Sequence, residues 1–329
     1  MDFFELIRLN LLSPMALAFV LGIVATLVRS DLHFPEALYT ALSIYLLLAI
    51  GLKGGAELSV TPLAQLWAPM LFALLLGAAI PIWCYAILRA LGKFSVADSA
   101  AIAAHYGSVS AVTFSACLTF LESIPMPYEG YEGPYEGFVP ALVAVMEIPG
   151  IIVALVIARM RLGQVGSWRS VLHEVLTGRS ILLLFGGLVI GLAAGKEGFA
   201  QVTPLFVDPF KGALTFFLLE MGMVAARQFR DVAKAGKFLI GFGIVIPILH
   251  GALGTWLGNL AGLSPGGSMV LGVLAASASY IAAPAAVRIA LPQANPGYYL
   301  TASLVITFPF NLTLGLPIYF AMTRAIFGI

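Results

Sequence analysis

Apolar residues come in runs of membrane length along this chain, and polar or charged positions fall mostly between the runs. Ten runs are evident, roughly 13 to 29, 35 to 53, 66 to 90, 97 to 121, 138 to 160, 179 to 195, 209 to 227, 237 to 261, 267 to 290 and 298 to 325. Each is near the ~20 residues that cross a bilayer, and none is followed by a gap of soluble-domain size. The pattern predicts an all-α polytopic membrane protein, with residues 1–329 forming a single membrane domain. Two runs carry an unusual interruption. Tyr106-Gly107-Ser108-Val109-Ser110-Ala111-Val112-Thr113 lies in the fourth, and Ala276-Ser277-Ala278-Ser279-Tyr280-Ile281-Ala282-Ala283-Pro284 in the ninth. On an unbroken helix residues i and i+2 point to different faces, so paired serines serve one cavity only where the helix unwinds. Gly107 and Pro284 permit such a break. Close helix packing on small residues is the alternative, and the occurrence of two matching stretches favours a site.

Ten runs divide into halves of five, residues 1–161 and 178–329, and the halves resemble each other in order. Ala41-Leu42-Ser43-Ile44-Tyr45-Leu46-Leu47 matches Ala213-Leu214-Thr215-Phe216-Phe217-Leu218-Leu219, and Gly51-Leu52 and Gly222-Met223 follow with a one-residue slip. The serine pairs occupy the equivalent fourth and ninth runs, and Ile148-Pro149 in the fifth recurs as Phe308-Pro309 in the tenth. An odd number of crossings per half makes the second half enter from the opposite side, which is the inverted-repeat architecture of secondary transporters. In that arrangement two broken helices meet near the midplane. Half-helix N-termini then face an anion, while C-terminal carbonyls face a cation.

Hydrophobic residues make up 60% of the chain and charged residues 10%, which excludes a soluble domain, and a net charge of +1 gives no reason to expect nucleic acid. Lysine and arginine set the orientation. Arg29, Arg89, Lys93, Arg159, Arg161, Arg169, Arg179, Arg227, Arg230, Lys234, Lys237 and Arg288 fall on one side, 12 of the 17. Arg8, Lys53, Lys196, Lys211 and Arg324 fall on the other. This places both termini outside and the Arg161-to-Gly178 connection in the cytoplasm. No cleavable leader is evident in Met1 to Asn10. The external Glu122-to-Gly137 connection, with Glu129, Glu132 and Glu136, reads as a solvated loop in preference to a cation-attracting vestibule. Cys84 and Cys117 lie inside apolar runs and read as packing residues.

Hydroxyl and carbonyl oxygens are neutral hard ligands suited to sodium, as oxygen ligands suit other hard cations. Ser108, Ser110, Thr113, Ser277 and Ser279 supply them, with Glu147 just before Pro149 as the neighbouring carboxylate and Asn311 as a further oxygen beside Thr307. Gly107, Ser108, Val109, Ser110, Ser277, Ala278, Ser279 and Tyr280 are the candidate anion-binding residues. Acids at membrane depth are rare and mark function, and Glu220 is a second one, without a counterpart in the other half. Lys53 and Glu57, four apart near a helix end, read as a local ion pair. His105 reads as a packing residue. No phosphate loop, clustered metal site or hydrolytic triad is present in the sequence. An enzyme is therefore not expected.

At these residues the chain resembles the sodium-dependent bicarbonate permease family, best known from cyanobacterial carbon-concentrating systems. The resemblance covers nearly the whole chain. Its strongest part runs from Ser277 to Ala286, through Leu291-Pro292-Gln293-Ala294-Asn295-Pro296 and Tyr299-Leu300-Thr301-Ala302-Ser303, to Thr307-Phe308-Pro309-Phe310-Asn311. It implies five-plus-five inverted repeats with crossed broken helices, a core and a gate domain, a homotrimer, and bicarbonate held at the breaks beside co-transported Na+. It also implies a cytoplasmic PII-like regulator, although the Arg161-to-Gly178 connection is short for the family. The chain departs from the pattern at Val112, where members carry a hydroxyl. The expected protein is thus a sodium-coupled bicarbonate symporter of the plasma (inner) membrane. A symporter for another small anion such as a carboxylate, a sodium/proton exchanger using Glu147 and Glu220, and a membrane ligand sensor are the alternatives.

Overall fold

The computed structural model describes residues 3–124, 133–163, 172–173 and 175–329. Its elements are helices α1 (Phe3–Leu11), α2 (Pro14–Leu27), α3 (Glu36–Leu58), α4 (Leu63–Ala90), α5 (Val96–Gly107), α6 (Ala111–Ser123), α7 (Val139–Leu162), α8 (Arg179–Ala200), α9 (Thr203–Phe206), α10 (Phe210–Arg227), α11 (Phe229–Leu260), α12 (Pro265–Ala276), α13 (Ala282–Ala290) and α14 (Pro296–Phe327). Among the described residues there is no strand. Among the described residues eight spans are long and apolar enough to cross a membrane, counting α5 with α6 and α9 with α10. To these are added the bent pair α1–α2, turning by 60°, and the shorter apolar α12. The protein is a multi-pass membrane protein.

Helix ends follow local chemistry. Ser13 caps α2, with Pro14 in its first turn, and Ser95 caps α5 by accepting from Asp98 N at 3.0 Å. Gly195 (φ 64°) and Gly236 (φ 80°) interrupt α8 and α11 where the sixth apolar run ends and the eighth begins. Only glycine adopts that left-handed backbone freely. Within α14 the segments Thr301–Thr307 and Asn311–Gly315 are π-helical, on either side of Pro309, whose missing N–H already opens the backbone ladder.

Packing separates two groups of helices. In one, α2 lies against α10 and α3 against α8. Glycines let the backbones meet, as they do between membrane helices generally. A Cβ on Gly22 would stand 2.0 Å from Leu219 O, and one on Gly222 would stand 2.0 Å from Phe19 O. The α3–α8 pair repeats the device, with Gly51 on Leu184 O at 2.5 Å and Gly187 on Leu48 O at 3.0 Å. In sequence position Gly51 and Leu48 in the first half stand as Gly222 and Leu219 do in the second, so the one-residue slip in the alignment lands on equivalent contacts. In the other group, α4, α5 and α7 pack together, and α11 packs on α12 and α14. The α5–α6 span is almost wholly enclosed, and every residue of α12 is buried.

Candidate functional site

Both serine pairs sit at true helix breaks. Helix α5 ends at Gly107, Ser108 is extended (φ −93°, ψ 165°), and α6 begins at Ala111 with Ser110 as its cap. Helix α12 ends at Ala276, Ser277 is extended (φ −83°, ψ 165°), and α13 starts at Ala282. The two unwound stretches cross and bond to each other. Ser110 N donates to Ser277 Oγ at 2.9 Å, and Ser279 N donates to His105 O at 2.8 Å. Each such bond contributes about 0.5–1.5 kcal/mol net, and leaving a buried donor unpaired costs about 1–3 kcal/mol.

The approach depends on Gly150. Its position on α7 would place a Cβ 2.1 Å from both C and O of Gly107 and 2.6 Å from Ser108 N. Gly107 in turn is walled by Pro81 of α4. On the opposite side Asn311 Nδ2 donates to Ala276 O at 2.9 Å, holding the end of α12 to α14.

The hydroxyls divide into engaged and free. Ser110 Oγ accepts from Thr113 N at 3.1 Å and from Thr113 Oγ1 at 3.0 Å. Ser277 Oγ, besides receiving Ser110 N, donates to Leu274 O at 2.9 Å. Ser279 Oγ accepts from Ala283 N at 3.2 Å, engaging an amide in the first turn of α13. Among the described residues, Ser108 Oγ is buried and without a hydrogen-bond partner, and the buried Tyr280 OH faces Ser110. All eight candidate anion-binding residues, Gly107 to Ser110 and Ser277 to Tyr280, thus gather at one crossing with Thr113 a turn away. Glu147 lies on α7 one turn before Gly150, buried with Oε2 unpartnered. Asn311 is present but committed, since its Oδ1 receives Tyr319 OH at 2.6 Å. Val109 and Ala278 contribute backbone only.

His105 is a packing residue, as its sequence context suggests. Its Nδ1 is 2.7 Å from Ala101 O, so that nitrogen carries the proton, and its ring stacks on Tyr299 at 4.6 Å between centroids. Several partners were not visible in the sequence. Trp83 Nε1 donates to His250 Nε2 at 2.7 Å, joining α4 to α11. Tyr106 OH meets Thr307 Oγ1 at 2.6 Å, and Thr307 donates to Gly243 O at 2.7 Å. Ser43 on α3 is also buried with an unpartnered hydroxyl. It lines a crevice with Ala111, Val112, Ser115 and Ile281, at the start of α6. The only hint of it was its place in the repeated Ala41-to-Leu47 segment.

That crevice is the narrow middle of a seam between the two helix groups. On one side it shares Ile50 and Ser115 with a chamber of about 240 Å³, also lined by Lys53, Thr119, Glu122 and Lys211. On the other it shares Ile281 with a second chamber of about 120 Å³ that contains Arg179. Two expectations about this region are corrected. Glu57 pairs with Lys196 at 3.0 Å and not with Lys53, because α8 lies against that face of α3. Glu136 is no solvated loop residue. Its carboxylate accepts from Ser264 N at 2.5 Å and Ser264 Oγ at 3.0 Å, fixing the connection to the N-terminus of α12 where negative charge is favoured. Glu129, Glu132 and Arg169 lie outside the described residues, as does most of the Arg161-to-Gly178 connection.

Residues 14–324 match the family model of the Na+-dependent bicarbonate transporter superfamily. No curated protein matches the chain. The match spans both helix groups and both breaks, and the family is one of transporters and not of enzymes. The chain belongs to the Na+-dependent bicarbonate transporter superfamily.

Proposed function

We propose that the protein is a sodium-coupled symporter that brings bicarbonate across the plasma membrane by alternating access, with both termini outside. The observation that carries this reading is the crossing of the two unwound stretches. There the starts of α6 and α13 and the ends of α5 and α12 converge beside a narrow crevice. The first amides of a helix lack intrahelical acceptors and carry partial positive charge. The opening turn of α6, with Ser43 Oγ facing the same crevice, suits a small oxyanion. The carbonyl ends of α5 and α12, with Ser108 Oγ and the Glu147 carboxylate, suit sodium.

Ten crossings arranged as two inverted five-helix repeats account for the matched glycine contacts of α2–α10 and α3–α8. On that scheme α2, α3, α8 and α10 form the gate, and the helices around the crossing form the core. Chambers on both sides of a narrow middle, each lined by basic side chains, support a seam along which the core shifts against the gate. Sodium coupling sets the energetics. With one sodium per bicarbonate the cargo is neutral and only concentration gradients drive it. A second sodium would add about 2.3 kcal/mol per 100 mV of membrane potential.

Uptake of labelled bicarbonate into proteoliposomes tests the reading. Accumulation above the outside concentration is expected with an inward sodium gradient, and sodium-independent uptake would refute the coupling. Val112 lines the crevice where the family places a hydroxyl, which favours, as a second reading, an anion with fewer hydrogen-bonding groups. Competition by acetate or formate separates the two cargoes.

A further inference from the structure

Lys53 stands apart from the other charges of the chamber at the α6–α7 side. It is partly buried on α3, within a membrane-spanning helix, and has no ion-pair partner among the described residues. The acids nearby are taken. Glu57 is bound by Lys196, and Glu122 is bound by Lys211 at 2.8 Å and receives Tyr135 OH. Burial, and then the adjacent Glu122, keep the Tyr135 phenol protonated well above its usual range, so it remains a donor to that carboxylate. Glu122 is near enough to feel Lys53, but the chamber holds two ammonium groups and one carboxylate and keeps a net positive charge. The hydroxyls there have spent their protons: Ser115 Oγ donates to Ala111 O at 2.8 Å, and Thr119 Oγ1 to Ser115 O at 3.2 Å. Their lone pairs are left to accept an O–H.

We propose that this chamber is a second, separate anion site, where Lys53 holds an incoming small oxyanion carrying its own O–H before it passes Ile50 and Ser115 to the crossing. The class of ligand follows from the lining: an ammonium to meet the negative oxygens, hydroxyl oxygens to accept the acid proton, and room of about 240 Å³ for the ion with part of its water. A cation at the mouth of a low-dielectric cleft raises the local concentration of its counter-ion. The site rests on the transport reading for its purpose but not for its existence, since it can be occupied without any transport.

The experiment therefore reads occupancy directly. Leu118→Cys places a reporter on the chamber wall without touching the hydroxyls that line it, while Cys84 and Cys117 are buried and leave little background. In purified protein, sodium bicarbonate should slow modification of the reporter by a neutral thiol reagent, with sodium gluconate as the control. Adding Lys53→Gln should shift the protecting concentration upward by about fivefold, the worth of one ammonium–anion contact in a hydrated site. Lys53→Arg should restore it. Absent protection, or protection indifferent to Lys53→Gln, would overturn the proposal. Uptake measured on the same preparations reports separately on the transport reading: protection without sodium-driven uptake leaves the chamber site standing and removes its assigned role.

Discussion

Replacing Gly150 by alanine adds one methyl group at the place where α7 touches the first break. That carbon would lie 2.1 Å from the carbonyl carbon and oxygen of Gly107, against 3.4 Å or more for ordinary contact. The obstacle is backbone, so no rotamer change relieves it. Either α7 or the α5 terminus must move by about 1.3 Å, and such overpacking costs about 1–3 kcal/mol. The displaced segment leads directly into Ser108 and Ser110 N, whose bond to Ser277 Oγ is 2.9 Å long. An error of that size exceeds what the hydrogen bond tolerates. Sodium-driven bicarbonate uptake by Gly150→Ala should fall at least about tenfold, the kinetic equivalent of one such bond. Its thermal midpoint in detergent should drop as well. Gly186→Ala, with nothing within 4 Å of the added carbon, is the matched control and should behave as the native protein. Native uptake and stability in Gly150→Ala would refute the dependence of the crossing on this contact.

Ser108→Ala should leave thermal stability unchanged, because the hydroxyl has no intramolecular bond. It should nevertheless weaken apparent sodium or bicarbonate affinity by about tenfold; unchanged half-saturation for both would exclude the side chain from the site. Ser110→Ala differs, since it also removes the cap of α6. It should lower the thermal midpoint by the equivalent of about 1 kcal/mol, and Ser110→Thr should recover most of that. Glu147→Gln should raise the half-saturating sodium concentration while leaving the protein folded, and an unaltered sodium curve would count against a coupling role. Gly222→Val should separate α2 from α10, because its Cβ would meet Phe19 O at 2.0 Å, and size-exclusion chromatography should show loss of the monodisperse peak.

The apolar runs anticipated eight spans of membrane length among the described residues, because length and composition are local properties; the first and ninth runs fall instead on the bent α1–α2 pair and on the short α12 with α13. The breaks were equally legible, since paired serines beside glycine or proline have no use on a regular helix. Gly51 and Gly222, aligned in the sequence with a one-residue slip, each meet a backbone carbonyl of a neighbouring helix. What depends on side chains brought together from distant positions was hidden. Glu57 finds Lys196, Glu136 finds Ser264, and Trp83 finds His250, all separated by more than a hundred residues. A helical i, i+4 rule pointed instead to Lys53 and Glu57, because it ignores a third helix on the same face. The candidate residues at the two breaks do come together, but the work of their hydroxyls was not foreseen. Ser110, Ser277 and Ser279 spend theirs on helix starts and on the crossing itself, leaving Ser108 and the unsuspected Ser43 with hydroxyls unpaired among the described residues.

The account stands most directly on where sodium and the anion bind. A structure determined with sodium bicarbonate and compared with one in a potassium salt measures this. The account predicts ion density beside Ser108 Oγ and anion density against the first turn of α6, both lost together in potassium. Ligands bound elsewhere, or a crossing left empty at saturating sodium bicarbonate, would contradict it.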